Sequence, residues 1–249
     1  MQHRDVKPLD RNIVIVGFPG MALVGKTVAN YIAEKLGAEL IVTIYGTKFS
    51  AHLIVEAEGI GNLYNVGVYY AKVRNLGVFI VTGSSQPMTD SDQHSLGYFI
   101  IKKLKKFNID EIVAAAAYVS EMVVPNRKVY IVGSNADVVR KYASNGAVPL
   151  SEGVITGLNG VIVGWAKVLG INSACVLGET WRSIVELNYI DYSAAKLVID
   201  VLNRVWGLGI DTSELEEKGR EVERDIELLL RSAEQQKEYK QEKRPYYIT

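Results

Sequence analysis

The sequence predicts an α/β fold, a mostly parallel or mixed sheet covered by helices on both faces. Two observations carry that expectation: the hydrophobic period switches repeatedly between short β-branched runs and three- and four-residue steps, and glycine marks many of the switches. At 249 residues, with 48% apolar residues, the chain has material for one sizeable core.

Asn12-Ile13-Val14-Ile15-Val16 reads as a strand buried on both faces. After Gly17-Phe18-Pro19-Gly20, residues Met21, Val24, Val28, Ile32 and Leu36 fall on one helical stripe, which Pro19 launches and Gly37 ends. Leu40–Ile44 is the next strand and completes a strand–helix–strand unit of the kind that builds parallel sheets. Tyr64–Val73 and Val78–Thr82 follow as strands. Thr89-Asp90-Ser91-Asp92 then opens a helix carrying Leu96, Phe99, Ile100, Leu104 and Phe107. Glu111–Tyr118 and Lys128–Val132 read as strands, Ala136–Ser144 as a helix and Ile171–Leu177 as a further buried strand. Asp191 caps a helix with Leu197, Val198, Val201, Leu202 and Val205 on one face, stopped by Gly207 or Gly209.

The composition changes after residue 210, so the chain divides into an α/β body (1–210) and a charged helical tail (211–249). Ser213–Arg244 holds ten acidic and eight basic residues. Ser213-Glu214-Leu215-Glu216 fits a capping box, and Glu214/Lys218, Glu216/Arg220 and Glu227/Arg231 are i,i+4 pairs. Leu215, Gly219, Val222, Ile226, Leu229 and Ala233 form a narrow seam that must pack either on the body or on a neighbouring subunit. Pro245 ends the helix ahead of Tyr246-Tyr247-Ile248-Thr249.

Composition also excludes functions. Lys+Arg and Asp+Glu are 28 each, and a balanced surface is poor at holding nucleic acid or an anionic membrane. Cys175 is the only cysteine and lies in an apolar run, as a small buried hydrophobe would. His3, His52 and His94 are scattered, so no metal site is expected. No spanning segment or signal peptide is seen, which makes the expected location cytoplasmic.

One catalytic pattern stands out. Gly20–Thr27 satisfies G-x4-G-K-T after a strand and into a helix, which would make Gly20, Gly25, Lys26 and Thr27 a phosphate cradle. Against it, Met21, Leu23 and Val24 are bulky, and no strand ends in an Asp to hold Mg²⁺; Asp110-Glu111 precede theirs. Glu179, after Leu177-Gly178, is the other candidate acid or base, but it has no visible partner. Lys102, Lys103, Lys105 and Lys106 complement the end of a helix that begins with Asp90 and Asp92. A second glycine-marked block, Gly157-Leu158-Asn159-Gly160 to Gly164, repeats the rhythm of the first; both read as helices packed close on the sheet or as walls of a crevice.

The Gly17–Gly25 block, with Ala29-Asn30-Tyr31, resembles the opening of the proteasome assembly chaperone family. Gly157–Gly160 through Gly170-Ile171 to Leu177-Gly178-Glu179-Thr180 resembles that family's later signature, so the resemblance spans about Ile13–Leu208 and is nearest in character to an archaeal homologue. It implies a phosphorylase/hydrolase-like three-layer α/β/α fold used without catalysis or cofactor. The implied partners are proteasome α subunits or a related protein, bound by a homo-oligomer. Lys26 and Thr27 lie outside the resembled signature. It further implies a partner-binding tail at Tyr246, Tyr247, Ile248 and Thr249, although the Tyr stands third from the end where the family's tripeptide has it second. The alternative function is a nucleotide-binding or phosphorylase-like enzyme using Gly20–Thr27 or Glu179.

Overall fold

The computed structural model describes residues 7–123 and 126–242, with the side chains of the last helix described to residue 232. The chain opens with β1 (Asn12–Gly17), α1 (Val24–Lys35) and β2 (Glu39–Tyr45), then a small hairpin, β3 (Leu53–Val55) and β4 (Gly61–Leu63). Next come β5 (Asn65–Val73), β6 (Leu76–Gly83), α2 (Asp90–Leu104), β7 (Ile109–Ser120), β8 (Val129–Gly133), α3 (Ala136–Ala143) and β9 (Val148–Pro149). The last third holds α4 (Leu158–Val168), β10 (Asn172–Trp181), α5 (Arg182–Glu186), α6 (Tyr192–Trp206) and α7 (Ser213–Glu242).

Eight strands form one mixed sheet in the order β2-β5-β6-β1-β7-β10-β8-β9. Its centre, β6-β1-β7-β10, is parallel, whereas β2, β5 and β8 pair antiparallel to their inner neighbours. Alternation along the central strands divides the core. Ile13, Ile15, Ile80, Val113 and Val176 face α1, α3 and α6, while Val14, Val16, Val81, Ile112 and Cys175 face α2 and α4. The result is a three-layer α/β/α sandwich, as expected. Among the described residues no helix is long and apolar enough to cross a membrane.

Several local expectations are corrected. Strand β2 does not lie beside β1; it sits at the sheet edge with β5 and β6 between them. The reason is the tight β5–β6 hairpin, in which Val73 pairs with Leu76 across a two-residue turn with Arg74 at φ +54°. Helix α1 begins at Val24 rather than Met21. Ala22 (φ +47°) and Leu23 (φ +52°) adopt left-handed backbone, and Met21 is 54% exposed instead of joining the stripe. Asp110 and Glu111 lie inside β7, where buried Glu111 accepts a 2.6 Å hydrogen bond from the Tyr142 hydroxyl. Strand β10 continues to Trp181.

Ser213 is the first residue of α7 and not its cap: its amide and hydroxyl donate to Asp211 at 3.0 and 2.9 Å. Glu216 pairs with Arg220 and Lys196 instead of reaching back. The three i,i+4 pairs form. The first half of the seam docks on the chain's own body, with Leu215 and Ile226 buried and Val222 packed against the same core. Gly219 lies against Ser193 at the start of α6, so close that a Cβ would sit 2.2 Å from its hydroxyl oxygen. Leu229 is exposed, and the Ala233 side chain falls outside the described ones.

Candidate functional site

The parallel strands β1, β6 and β7 end at one open cleft of about 760 Å³. Its walls are the turn after β1 (Pro19, Gly20, Met21), the loop after β6 (Ser85–Met88), the end of β7 (Ala116–Val119) and residues 150–157. A crevice beyond the carboxyl ends of parallel strands is where this architecture leaves ligand space, because each chain there turns away toward a different helix.

The two glycine-marked blocks meet behind this cleft. Asn159, the second residue of α4, is buried; its Oδ1 accepts from Phe18 N at 2.9 Å and its Nδ2 donates to Phe18 O at 3.2 Å. Gln86 is a second bridge. Its Nε2 donates to Pro19 O, and its Oε1 accepts from Leu158 N at 2.7 Å, which satisfies a free amide at the α4 N-terminus. Gly25 completes the seam, since a Cβ there would stand 2.4 Å from Ala115 O on β7. The expected close packing therefore holds at Gly25; Gly178 on β10, outside both blocks, shows the same closeness to α6, since a Cβ there would lie 2.5 Å from Ala194 O. It does not hold at Gly164, whose added Cβ would meet nothing within 4 Å.

Gly20 and Gly25 line the cleft; Lys26 and Thr27 are not among its lining residues. The backbone between them is not an open nest of amides. Leu23 N donates to Gly20 O at 3.0 Å and Val24 N to Met21 O, so both are already used. Asp90 and Glu152 are the charged residues among the described residues lining the cleft, which include no Lys or Arg to meet a phosphate.

Glu179 is buried behind Tyr118. Its carboxylate accepts from Lys128 N at 2.8 Å and its own amide donates to Lys128 O at 2.9 Å, an arrangement that fixes the start of β8. Tyr118 lines the cleft and packs on Tyr130 at 4.4 Å between ring centroids. Burial raises the Tyr130 phenol above its ordinary value, and the nearby Glu179 charge adds to the effect. Cys175 has no exposure, and burial pushes its thiol up to about 12, which makes it the inert hydrophobe expected. Among the described residues no group of His, Cys, Asp and Glu is arranged to hold a metal.

The opposite face carries a cluster that the sequence did not announce. Arg127 Nη1 bridges both Asp191 carboxylate oxygens at 2.8 Å, and its guanidinium lies 3.8 Å over the Trp181 ring. Its other nitrogen is 3.0 Å from Glu223 on α7. Asp191 also accepts from Thr180 Oγ1 at 2.5 Å and from Ala194 N at 2.9 Å, capping α6 as expected. Arg127 thereby ties β10, α6 and α7 together.

Tyr246, Tyr247, Ile248 and Thr249 lie outside the described residues.

This geometry defines a three-layer α/β/α protein whose two glycine blocks meet in a seam between helices and sheet. The chain belongs to the PAC2 family, whose sequence pattern matches residues 14–230. An uncharacterized protein of Methanocaldococcus jannaschii is 23% identical over 243 residues, 97% of this chain and 92% of that one. The crystal structure of Pyrococcus furiosus PbaB, an archaeal proteasome activator, superposes with a TM-score of 0.83 at 25% identity, covering 94% of this chain and 97% of that one. P. furiosus PbaA, an archaeal homolog of proteasome-assembly chaperone, shares the fold with a TM-score of 0.73 at 24% identity, covering 95% and 93%. The resemblance carried by the two glycine blocks is met.

Proposed function

We propose that this protein is a non-enzymatic proteasome assembly chaperone or activator-type adaptor. In this reading it binds proteasome core-particle α subunits, or a related partner, as a homo-oligomer in the cytoplasm. The observation that carries the reading is the likeness to PbaB across nearly the whole of both chains. The site supports it: the Leu23 and Val24 amides are used internally, and the described lining residues of the cleft include no Lys or Arg for a phosphate.

In the same proposal, residues 211–249 act as an arm on the body formed by residues 1–210. Helix α7 is anchored through Leu215, Val222 and Ile226. Tyr246, Tyr247, Ile248 and Thr249 provide the contact with the partner. Several weak arms on one oligomer bind a ring tightly when their spacing matches it.

The test is a pull-down of proteasome α subunits by the full chain and by a chain ending at Arg244. Capture by the full chain and a large loss on truncation are expected. Equal capture by both removes the arm from the mechanism, and no capture by either removes the partner. Thermal shift with Mg-ATP addresses the enzyme alternative, which requires a saturable shift that Lys26→Ala abolishes.

A further inference from the structure

We infer that the β3–β4 hairpin of one copy docks into the groove between β2 and α2 of a second copy, forming a head-to-tail contact. The inference rests on the homo-oligomer reading above and names its surface.

Among the described residues the hairpin is a two-stranded sheet paired only with itself. Two strands alone are marginal in water unless an apolar face is covered. Here that face is bare. Leu53 and Leu63 stand directly opposite each other, Val55 lies two residues along the same face, and Ile60 follows the tip; all four are more than half exposed. Tyr45, at the end of β2, is also more than half exposed. Large apolar side chains grouped on one exposed face in this way mark a surface that another chain covers. The hairpin tip is acidic, with Glu56 and Glu58 exposed on either side of Ala57. The Lys48 ammonium is held by Asp92 of α2 at 2.9 Å and is therefore not free to neutralise the tip.

The complementary surface lies on the sheet face beneath α2. Ile41, Ile44, Val68 and Leu104 form the floor of an apolar groove of about 90 Å³, room for one large aliphatic side chain. Its rim is basic: Lys103 lies 5.5 Å over the Phe99 ring and Lys106 4.8 Å over the Phe107 ring. An apolar hairpin with an acidic tip thus has, on the same chain, an apolar groove with a basic rim. The two surfaces differ, so the contact is heterologous, and repeating it closes a ring or extends a filament.

The experiment is light scattering across a concentration series, with circular dichroism to confirm folding. The single variants Leu53→Glu and Ile60→Glu alter only exposed side chains and are expected to weaken association at least tenfold. Reversing the tip (Glu56→Lys with Glu58→Lys) is expected to weaken it too. Adding Lys103→Glu and Lys106→Glu to the tip-reversed chain is expected to restore the native mass. A native oligomer unaffected by Leu53→Glu and Ile60→Glu overturns the hairpin as the surface. Dissociation without rescue by the combined reversal overturns the groove as its receptor. A native chain monomeric at every concentration instead removes the homo-oligomer reading on which the inference stands.

Discussion

Asn159 and Phe18, 141 residues apart, are joined by two buried hydrogen bonds that use one side-chain amide to complete one residue's backbone. The pair links the end of β1 to the start of α4 much as a neighbouring strand would. It also explains why the two glycine blocks belong together: the glycines let the backbones approach, and the asparagine satisfies the polar groups that the approach buries.

Replacing Asn159 by Leu leaves the Phe18 amide and carbonyl buried without partners. At about 1–3 kcal/mol for each unsatisfied group, a loss on the order of 2–6 kcal/mol is expected. Urea unfolding measures it, and a loss below about 1 kcal/mol contradicts the assigned role.

Gly25 and Gly164 form a matched pair of tests. An alanine at 25 drives its Cβ into the β7 backbone at Ala115 O, which cannot move aside as a side chain can. Gly25→Ala is expected to destabilise by about 2 kcal/mol or more. Gly164→Ala meets open space in mid-helix and is expected to stabilise by about 0.5–1 kcal/mol. Melting temperatures moving in the same direction would show that the space around each glycine does not decide the sign.

Arg127→Ala strands the buried Asp191 carboxylate and releases Glu223 of α7. A cost of about 3–5 kcal/mol is expected, because a buried charge loses its partner. Lysine should rescue little of it, since an ammonium cannot both bridge Asp191 and lie flat on Trp181. Limited proteolysis of α7, faster in Arg127→Ala than in the native chain, reports the loosened helix; an unchanged rate argues against the tie.

The base of α7 responds to acid through Glu214. Hydrogen bonds from Lys218 and Lys35 hold its carboxyl down at about 2, against an ordinary 4.5. A group depressed on folding contributes fully above its unfolded value, so this support is complete above about pH 4.5 and fades as the pH falls toward 2. Bonding to Glu214 raises Lys218 and Lys35, so their share is complete below about 10.5 and fades as the pH climbs through their folded values. An NMR titration of the Glu214 carboxyl carbon should show a midpoint near 2 that rises in Lys218→Ala. A midpoint near 4.5 in the native chain refutes the pairing.

The continuous apolar runs of β1, β6 and β10 and the helical stripes of α2 and α6 were legible because each is a local pattern with a local cause. Thr89 and Asp191 announced their own helices, accepting from Asp92 N and Ala194 N as a cap must. The opening of α1 was not legible. Met21 fits the stripe by spacing, yet the left-handed turn at Ala22 and Leu23 rotates it to the surface, and nothing in the residue types signals such a turn. Nor was the loss of the expected Ser213 cap legible, because Asp211 takes up the Ser213 hydroxyl and amide.

The sequence by itself determined the layer architecture, the glycine blocks that mark the family, the inert cysteine and the charged last helix. All follow from period, composition and near neighbours. Only the tertiary structure decided that β2 sits at the sheet edge, that Gln86 and Asn159 bridge the two blocks, that Arg127 ties α7 down, and that Gly25, inside the Gly20–Thr27 pattern, closes a seam against β7. Those outcomes depend on contacts between residues tens to well over a hundred positions apart, and no local window of the chain carries the geometry that brings such residues together.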